Sequence, residues 1–316
     1  MSDPRPNLGF ESEDQLRAFI KALSNSAIPG KFAYVGEAAA ATYNAHALTK
    51  EYGQVTRSVV DESSLFLEVW GQELGSIRTL ADVGPGNGLH SADLLQRLSA
   101  TATWSPSNYL AIDYSLNMAE IAKQNVKRLI PEMQINSIPF DIESTFRRTS
   151  SHLSDASESI YFLLGNTIGN VESMSRAIEG IRSLAGNGAR LLIGCALFDE
   201  YRSAESYLKP YRMKTYVDCV LCPLMMIGAP RRLLASAAEL SPDTRTISTL
   251  VIFREDFQAN VLGERVTVKA ASTIRCALSR RFLPGEIPNL LARWNVSTLG
   301  MAEDLQNGHG TYCTVI

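Results

Sequence analysis

No apolar run in the 316 residues approaches the ~20 needed to span a bilayer. The polar start, Met1 to Asn7, is unlike a secretory signal. Both absences predict a cytoplasmic protein with no membrane partner. Charge of one sign is not in excess either: a net charge of −3 and a pI near 5.9 give no electrostatic reason to expect nucleic acid or an anionic surface as partner. The five cysteines, Cys195, Cys219, Cys222, Cys276 and Cys313, are odd in number and mostly embedded in apolar sequence, which fits reduced thiols better than a disulfide framework. Cys219 and Cys222 have C-x-x-C spacing, but with no second pair and no nearby histidine they read as packed thiols rather than a zinc site. The chain also lacks internal repeats, low-complexity tracts and any G-x-G-x-x-G run.

What is present is a globular composition, 45% hydrophobic and 20% charged, long enough for one large domain or two of ordinary size. The organising stretch is Leu80-Ala81-Asp82-Val83-Gly84-Pro85-Gly86-Asn87-Gly88. It reads as a buried strand that breaks into a glycine turn, and the spacing of Leu89, Ala92, Leu95 and Leu98 continues it as a helix. Glycines there let the backbone approach a ligand closely, and the helix start offers unpaired N–H groups. One βα unit later, Tyr109-Leu110-Ala111-Ile112-Asp113 ends in a carboxylate placed to accept hydrogen bonds from ribose hydroxyls. A dinucleotide fingerprint would seat a pyrophosphate. The D-x-G-x-G-x-G form here suits an uncharged amino-acid tail and ribose better, so it favours S-adenosylmethionine (SAM) over NAD, with a plain tight turn as the remaining alternative.

Between Ser76 and Gly194, apolar runs near 79–83, 109–113, 134–139, 159–164 and 189–195 alternate with helical segments, which predicts an α/β fold with a parallel, doubly wound sheet. Ahead of it stand helical patterns at 11–27, at Glu37 to Ala47 and from about Val55 to Trp70. Tyr43 reads as core filler. Asp141-Ile142 follows the third strand, where a residue pair commonly reaches an adenine. Leu163 to Asn170 ends the fourth strand with two Gly-Asn pairs, whose amides offer donors and acceptors without titrating. From 197 to 281 the rhythm changes: a helix with Tyr201, Tyr207 and Tyr211, an apolar stretch from Tyr216 to Ile227, and strand-like runs at Thr246 to Phe253 and Arg265 to Cys276. Such an insertion is most simply a lid or second domain. A helix near Gly285 to Arg293 and an antiparallel pair around Asn307-Gly308 close the chain.

Taken together, Asp82 to Gly88, Asp113, Asp141 and above all Leu164-Gly165-Asn166-Thr167-Ile168-Gly169-Asn170 resemble the histidine-specific SAM-dependent methyltransferase family. Lys31-Phe32-Ala33-Tyr34 and Ser279-Arg280-Arg281-Phe282-Leu283-Pro284 are similar to its other motifs. The resemblance implies a class I SAM methyltransferase Rossmann-like sheet spanning 57–196 and 282–316, with a second, substrate-binding domain made of 7–56 and 197–281, and no metal. It implies SAM contacts at Gly84, Gly86, Gly88, His90, Asp113, Asp141 and Ile142, where His90 replaces a lysine near the methionine carboxylate. It implies contacts to the acceptor amine and carboxylate at Tyr34, Gly165, Asn170 and Tyr207, with Tyr34 and Asn170 closest to the chemistry, and a side-chain pocket at Tyr52, Thr249 and Ser279.

Ala277 stands where the histidine enzymes place a glutamate that pairs with the imidazole, and a methionine of that pocket is replaced near Thr249. Losing that charge-assisted hydrogen bond, worth about 1.5–3 kcal/mol, points away from histidine as acceptor. The expected activity is N-methylation of the α-amine of another amino acid or a derived small amine. A nucleoside-binding Rossmann protein without catalysis and an NAD(P)-dependent oxidoreductase are the competing classes, and a homodimer stays open.

Overall fold

The computed structural model describes residues 9–49, 52, 59–102, 104, 106–145 and 156–316. Three helices come first, α1 (Glu13–Ser24), α2 (Glu37–Ala47) and α3 (Val59–Trp70). An alternating stretch follows: β1 (Thr79–Val83), α4 (Leu89–Ala102), β2 (Asn108–Asp113), α5 (Leu116–Leu129), β3 (Gln134–Pro139), β4 (Ser159–Leu163), α6 (Met174–Ala185) and β5 (Arg190–Ala196). The insertion holds α7 (Ala204–Leu208), α8 (Lys214–Met226), β6 (Leu234–Ser241), β7 (Thr246–Phe253), β8 (Phe257–Val261), β9 (Glu264–Val268) and β10 (Thr273–Arg280). The chain closes with α9 (Glu286–Ala292), β11 (Ser297–Asp304) and β12 (His309–Val315). Of the helix expected from Val55, residues 55–58 lie outside the described residues, as does Asn7 at the edge of the expected second domain.

Seven strands form one sheet in the order β11-β12-β5-β4-β1-β2-β3. The first five strands run parallel, and β12 is antiparallel to both β5 and β11. Side chains alternate across it. Ala81, Val83, Ile112, Leu163 and Ile193 pack with α6 and α9 on one face, while Leu80, Tyr109, Ala111, Phe162 and Leu192 pack with α3, α4 and α5 on the other. Burial on both faces explains why these strands are continuous apolar runs. The strand order reverses between β1 and β4, so the Gly84–Gly88 turn and the Leu164–Asn170 loop flank one crevice at the carboxyl edge.

A third core joins distant parts of the chain. Leu16, Phe19 and Phe32 from the N-terminal segment pack with Leu221 and Leu224 of α8 and with Val251, Phe253 and Ile274 of the three-stranded sheet β10-β7-β6.

Two expectations for the insertion are corrected. The helix meant to carry three tyrosines is only the five residues of α7, begun by the Ser203 hydroxyl accepting from Ser206 N and followed by a 3-10 turn, Lys209–Arg212, that contains Pro210. Tyr201 precedes it, fully exposed. The single strand expected over Arg265 to Cys276 is two, β9 and β10. Asp256 accepts from Ala270 N at 2.8 Å, and Ala271 adopts φ +62°, a turn that no glycine or proline announces. β6, rich in alanine and serine, and β8 carry little β-branched signal and were not expected.

Candidate active site

The glycine turn touches both walls of the crevice. Gly84, Gly86 and Gly88 all have positive φ. A Cβ on Gly84 would come within 2.9 Å of Thr167 Cγ2, one on Gly86 within 3.0 Å of the Tyr43 hydroxyl, and one on Gly88 within 2.9 Å of Ala122 Cα. Side chains are thus excluded by conformation and by space. Among the described residues, the N–H groups of Gly86 and Asn87 have no acceptor, whereas Gly84 N donates to Ile112 O and Gly88 N to Pro85 O. Two free donors at a helix start suit the carboxylate end of an amino-acid tail that carries no net charge. Under the turn, Asp82 accepts from Tyr109 Oη at 2.6 Å, and burial pushes its carboxyl up to about 6.

Two carboxylates stand at the ends of β2 and β3. Asp113 accepts from Ser115 N at 2.9 Å; burial, then the nearby Glu11 and Asp82 carboxylates, push it up to about 7. Asp141 pairs with Lys31 Nζ at 2.5 Å, and the same ammonium lies 4.8 Å from the Tyr114 ring centre. The Ile142 carbonyl rests against Gly180 of α6, where a Cβ would come within 2.0 Å of it. Glu11 reaches across to accept from Ser115 Oγ, Leu116 N and Asn117 N, closing the start of α5. Sequence reasoning passed over Lys31 and Glu11 in this role because nothing local links them to residues ~100 positions away.

The loop after β4 is organised by Asn166, a buried residue in the left-handed region (φ +65°). Its Oδ1 accepts from Ala196 N at 3.0 Å, and its Nδ2 lies 3.0 Å from Ser279 Oγ and 3.2 Å from both Asn170 Oδ1 and Arg280 O. Asn170 and Ser279 therefore meet, 109 residues apart in sequence, through a residue not singled out from the sequence. Gly165 is exposed, and a Cβ there would meet nothing within 4 Å.

Above the Gly86 turn sits an aromatic box. The Tyr34 and Tyr43 rings meet edge to face at 4.8 Å, and the Tyr43 and Tyr52 hydroxyls are 2.6 Å apart. His46 lies 5.2 Å from the Tyr52 ring and 5.8 Å from Tyr216, with its Nδ1 bonded to Thr215 Oγ1 at 2.9 Å. Tyr216 in turn contacts Tyr211 at 5.2 Å and bonds Thr249 Oγ1 at 3.3 Å; Thr249 pairs with Ala277 across β7 and β10. Burial raises the phenols of Tyr34, Tyr43 and Tyr52 above their usual value and lowers the imidazole of His46, so the box is uncharged near neutrality. Tyr43, expected as core filler, is half-buried with its hydroxyl against the Gly86 turn.

The model of the family described as histidine-specific methyltransferase, SAM-dependent, matches residues 17–217. The chain belongs to that family. No curated protein sequence matches it. Among solved structures it is similar to a SAM-bound amino pentose methyltransferase from Micromonospora echinaspora (12% identity over 83% of this chain and 91% of that one, TM-score 0.41). It is also similar to 1,6-didemethyltoxoflavin-N1-methyltransferase from Burkholderia thailandensis (11% identity over 100% of this chain and 92% of that one, TM-score 0.43). SAM is the donor of this family, and the glycine turn with its two free N–H groups and the Asp113 carboxyl are groups of the kind that its amino-acid tail and ribose require.

Two residues of this methyltransferase stand apart from the group that the sequence suggested. Tyr207 is 1% exposed, and its hydroxyl accepts from Asp199 N at 2.6 Å and donates to Asp199 O at 3.0 Å, so its one proton is spent on the chain itself and is not available to a carboxylate. Tyr211, four residues on, is the one that joins the box. His90 turns its Nε2 toward Glu62 Oε2 at 2.7 Å, and Glu62 Oε1 meets His309 Nε2 at 3.2 Å. Burial opposes the charge on His90, and the Glu62 carboxylate more than offsets it, so the imidazole is raised above its usual value. For Glu62, fully buried, burial is likewise outweighed by the two imidazoles, which hold it down at about 2.

Proposed function

We propose that this methyltransferase methylates the α-amine of an amino acid, or of a small amine derived from one, and that histidine is not the acceptor. The observation that carries the reading is the double contact of the glycine turn: Thr167 of the amide loop packs on Gly84, and Tyr43 of the aromatic box packs on Gly86. A donor on the turn and an acceptor between loop and box share one crevice. In this reading 57–196 and 282–316 hold the donor, through Gly84, Gly86, Gly88, Asp113, Asp141 and Ile142, while His90 is engaged by Glu62 instead. Residues 7–56 and 197–281 hold the acceptor. Tyr34 and the Gly165 carbonyl orient the amine, Asn170 holds the carboxylate, and Tyr52, Thr249 and Ser279 line the side-chain pocket, with Tyr211 replacing Tyr207.

SAM, when bound, supplies a methyl group on a sulfonium. The chain's own work is to align an amine lone pair and exclude water. The raised phenols of Tyr34, Tyr43 and Tyr52 stay protonated, so they hydrogen-bond the amine without taking its proton, which leaves to solvent. The uncharged pocket beside Ala277 offers an imidazolium no counter-ion and suits a larger, less basic side chain. Mass spectrometry of SAM-dependent products across the twenty amino acids and their decarboxylated and prenylated relatives tests this. Methyl gain on histidine alone, or on none of the panel, defeats the reading. Asn170→Ala should raise KM for the acceptor and leave SAM affinity intact.

A further inference from the structure

We infer that Asn166 is a positioning residue that sets the polarity of the acceptor site, turning Asn170 into a hydrogen-bond donor toward a substrate carboxylate and Ser279 into a donor toward the side-chain pocket. The inference rests on the assignment of Asn170 to the acceptor made above.

Ala196 N–H can only donate, so the Asn166 atom facing it at 3.0 Å is the oxygen. That orientation turns the Asn166 NH2 toward Ser279, Arg280 and Asn170, whose three oxygens share its two N–H donors. The Arg280 carbonyl, 3.2 Å away, can only accept, and agrees with it. Asn170 must then face Asn166 with its own oxygen, at 3.2 Å, which leaves the Asn170 NH2 on the opposite side of its amide. Those N–H groups have no acceptor among the described residues. Ser279 Oγ, accepting from Asn166 at 3.0 Å, keeps its hydroxyl proton free to donate. One backbone N–H at the end of β5 thus fixes, through a single buried side chain, two donors in the acceptor site. A carboxylate, which only accepts, matches the Asn170 amide; a decarboxylated amine leaves that amide unpaired.

The fold builds this position with some care. Asn166 holds the left-handed conformation that asparagine tolerates better than most residues, and a Cβ on Gly169 would come within 2.4 Å of its Oδ1.

The acceptor methylated fastest in the amino-acid panel is compared with its carboxamide and its decarboxylated amine, using kcat/KM. The wild type should prefer the carboxylate by about ten- to a hundredfold, the range for hydrogen bonds to a charged group. Asn166→Gly keeps the backbone conformation and frees the Asn170 amide, and should lose most of that preference while binding SAM as before. Asn166→Asp, isosteric, should lose it as well. In an Asn170→Ala background both substitutions should add little to the loss of the carboxylate preference, because Asn166 sets that preference through Asn170; a further loss of the preference in that background, from charge or general loosening, would overturn the inference. An acceptor-independent readout accompanies the kinetics: side-chain amide exchange by NMR should find the Asn166 NH2 protected and the Asn170 NH2 exchanging freely. The reverse pattern sinks the relay even if no acceptor is found, whereas the expected pattern with no methylated acceptor sinks only the assignment of the substrate.

Discussion

In the proposed donor site, Asp113 should make SAM affinity a function of pH. Its carboxyl, pushed up to about 7 by burial and by Glu11 and Asp82, is half protonated near neutrality before the donor arrives. A ribose hydroxyl donates to the ionised form, so binding carries the cost of removing that proton. With a pKa of about 7, the ionised fraction falls about tenfold between pH 8 and pH 6, and each unit further down costs about 1.4 kcal/mol. Isothermal titration of SAM from pH 5.5 to 8.5, for the wild type and for Asp113→Asn, isolates this term, since titration of SAM itself contributes equally to both. The wild type should weaken about tenfold more than the variant from pH 8 to 6. A difference profile flat down to pH 5 refutes the reasoning, because an ordinary carboxylate would behave that way. The sign for stability is opposite to the usual carboxylate case. The native chain holds an extra proton between the unperturbed 3.8 and about 7, so without donor the unfolding free energy declines as pH rises through that window.

Glu62 works the other way: lowered from 4.5 to about 2, it contributes stability above pH 4.5 that is lost as pH falls toward 2. Glu62→Gln, which leaves two buried imidazoles without their carboxylate, should cost about 3–5 kcal/mol in urea unfolding; a cost under ~1 kcal/mol would show the pair to be unimportant. Gly88→Ala, forced to φ +75° and against the Ala122 backbone, should lose about 1–3 kcal/mol of stability, and an unchanged unfolding midpoint would contradict the packing described. Tyr43→Phe removes one partner of the hydroxyl pair with Tyr52 and should cost about 1 kcal/mol while raising acceptor KM more than SAM Kd; equal changes in both would argue against its place between the two ligands. Ala277→Glu puts a carboxylate opposite Thr249 and should confer measurable methylation of histidine, checked by mass spectrometry; none would mean that the pocket lies elsewhere.

The parallel sheet was legible because its signal is local and repeated. Thr79–Val83 and Asn108–Asp113 are apolar on both faces, each runs into a turn and a helix, and the strands observed lie within a residue of those expected. The insertion was less legible, since its turns at Lys209–Arg212 and at Ala271 carry no glycine and its strand β6 is built of small residues that fit many conformations.

For the site, the sequence by itself determined the family and the chemistry of the donor turn, because a glycine spacing and a carboxylate one βα unit later constrain backbone geometry directly. It did not determine which side chains face one another. Tyr207 and Tyr211 differ by four positions, about one helical turn, and only the packing of Phe198 and the Asp199 backbone decides that the first is spent inside its own unit. His90, Glu62 and His309 are brought together from α4, α3 and β12, and the two acid–imidazole contacts span 28 and 247 residues. Asn166 owes its orientation to a backbone N–H on another strand. Hydrogen-bond polarity is a property of pairs, and a pair formed across the fold leaves no periodic trace in the chain that forms it.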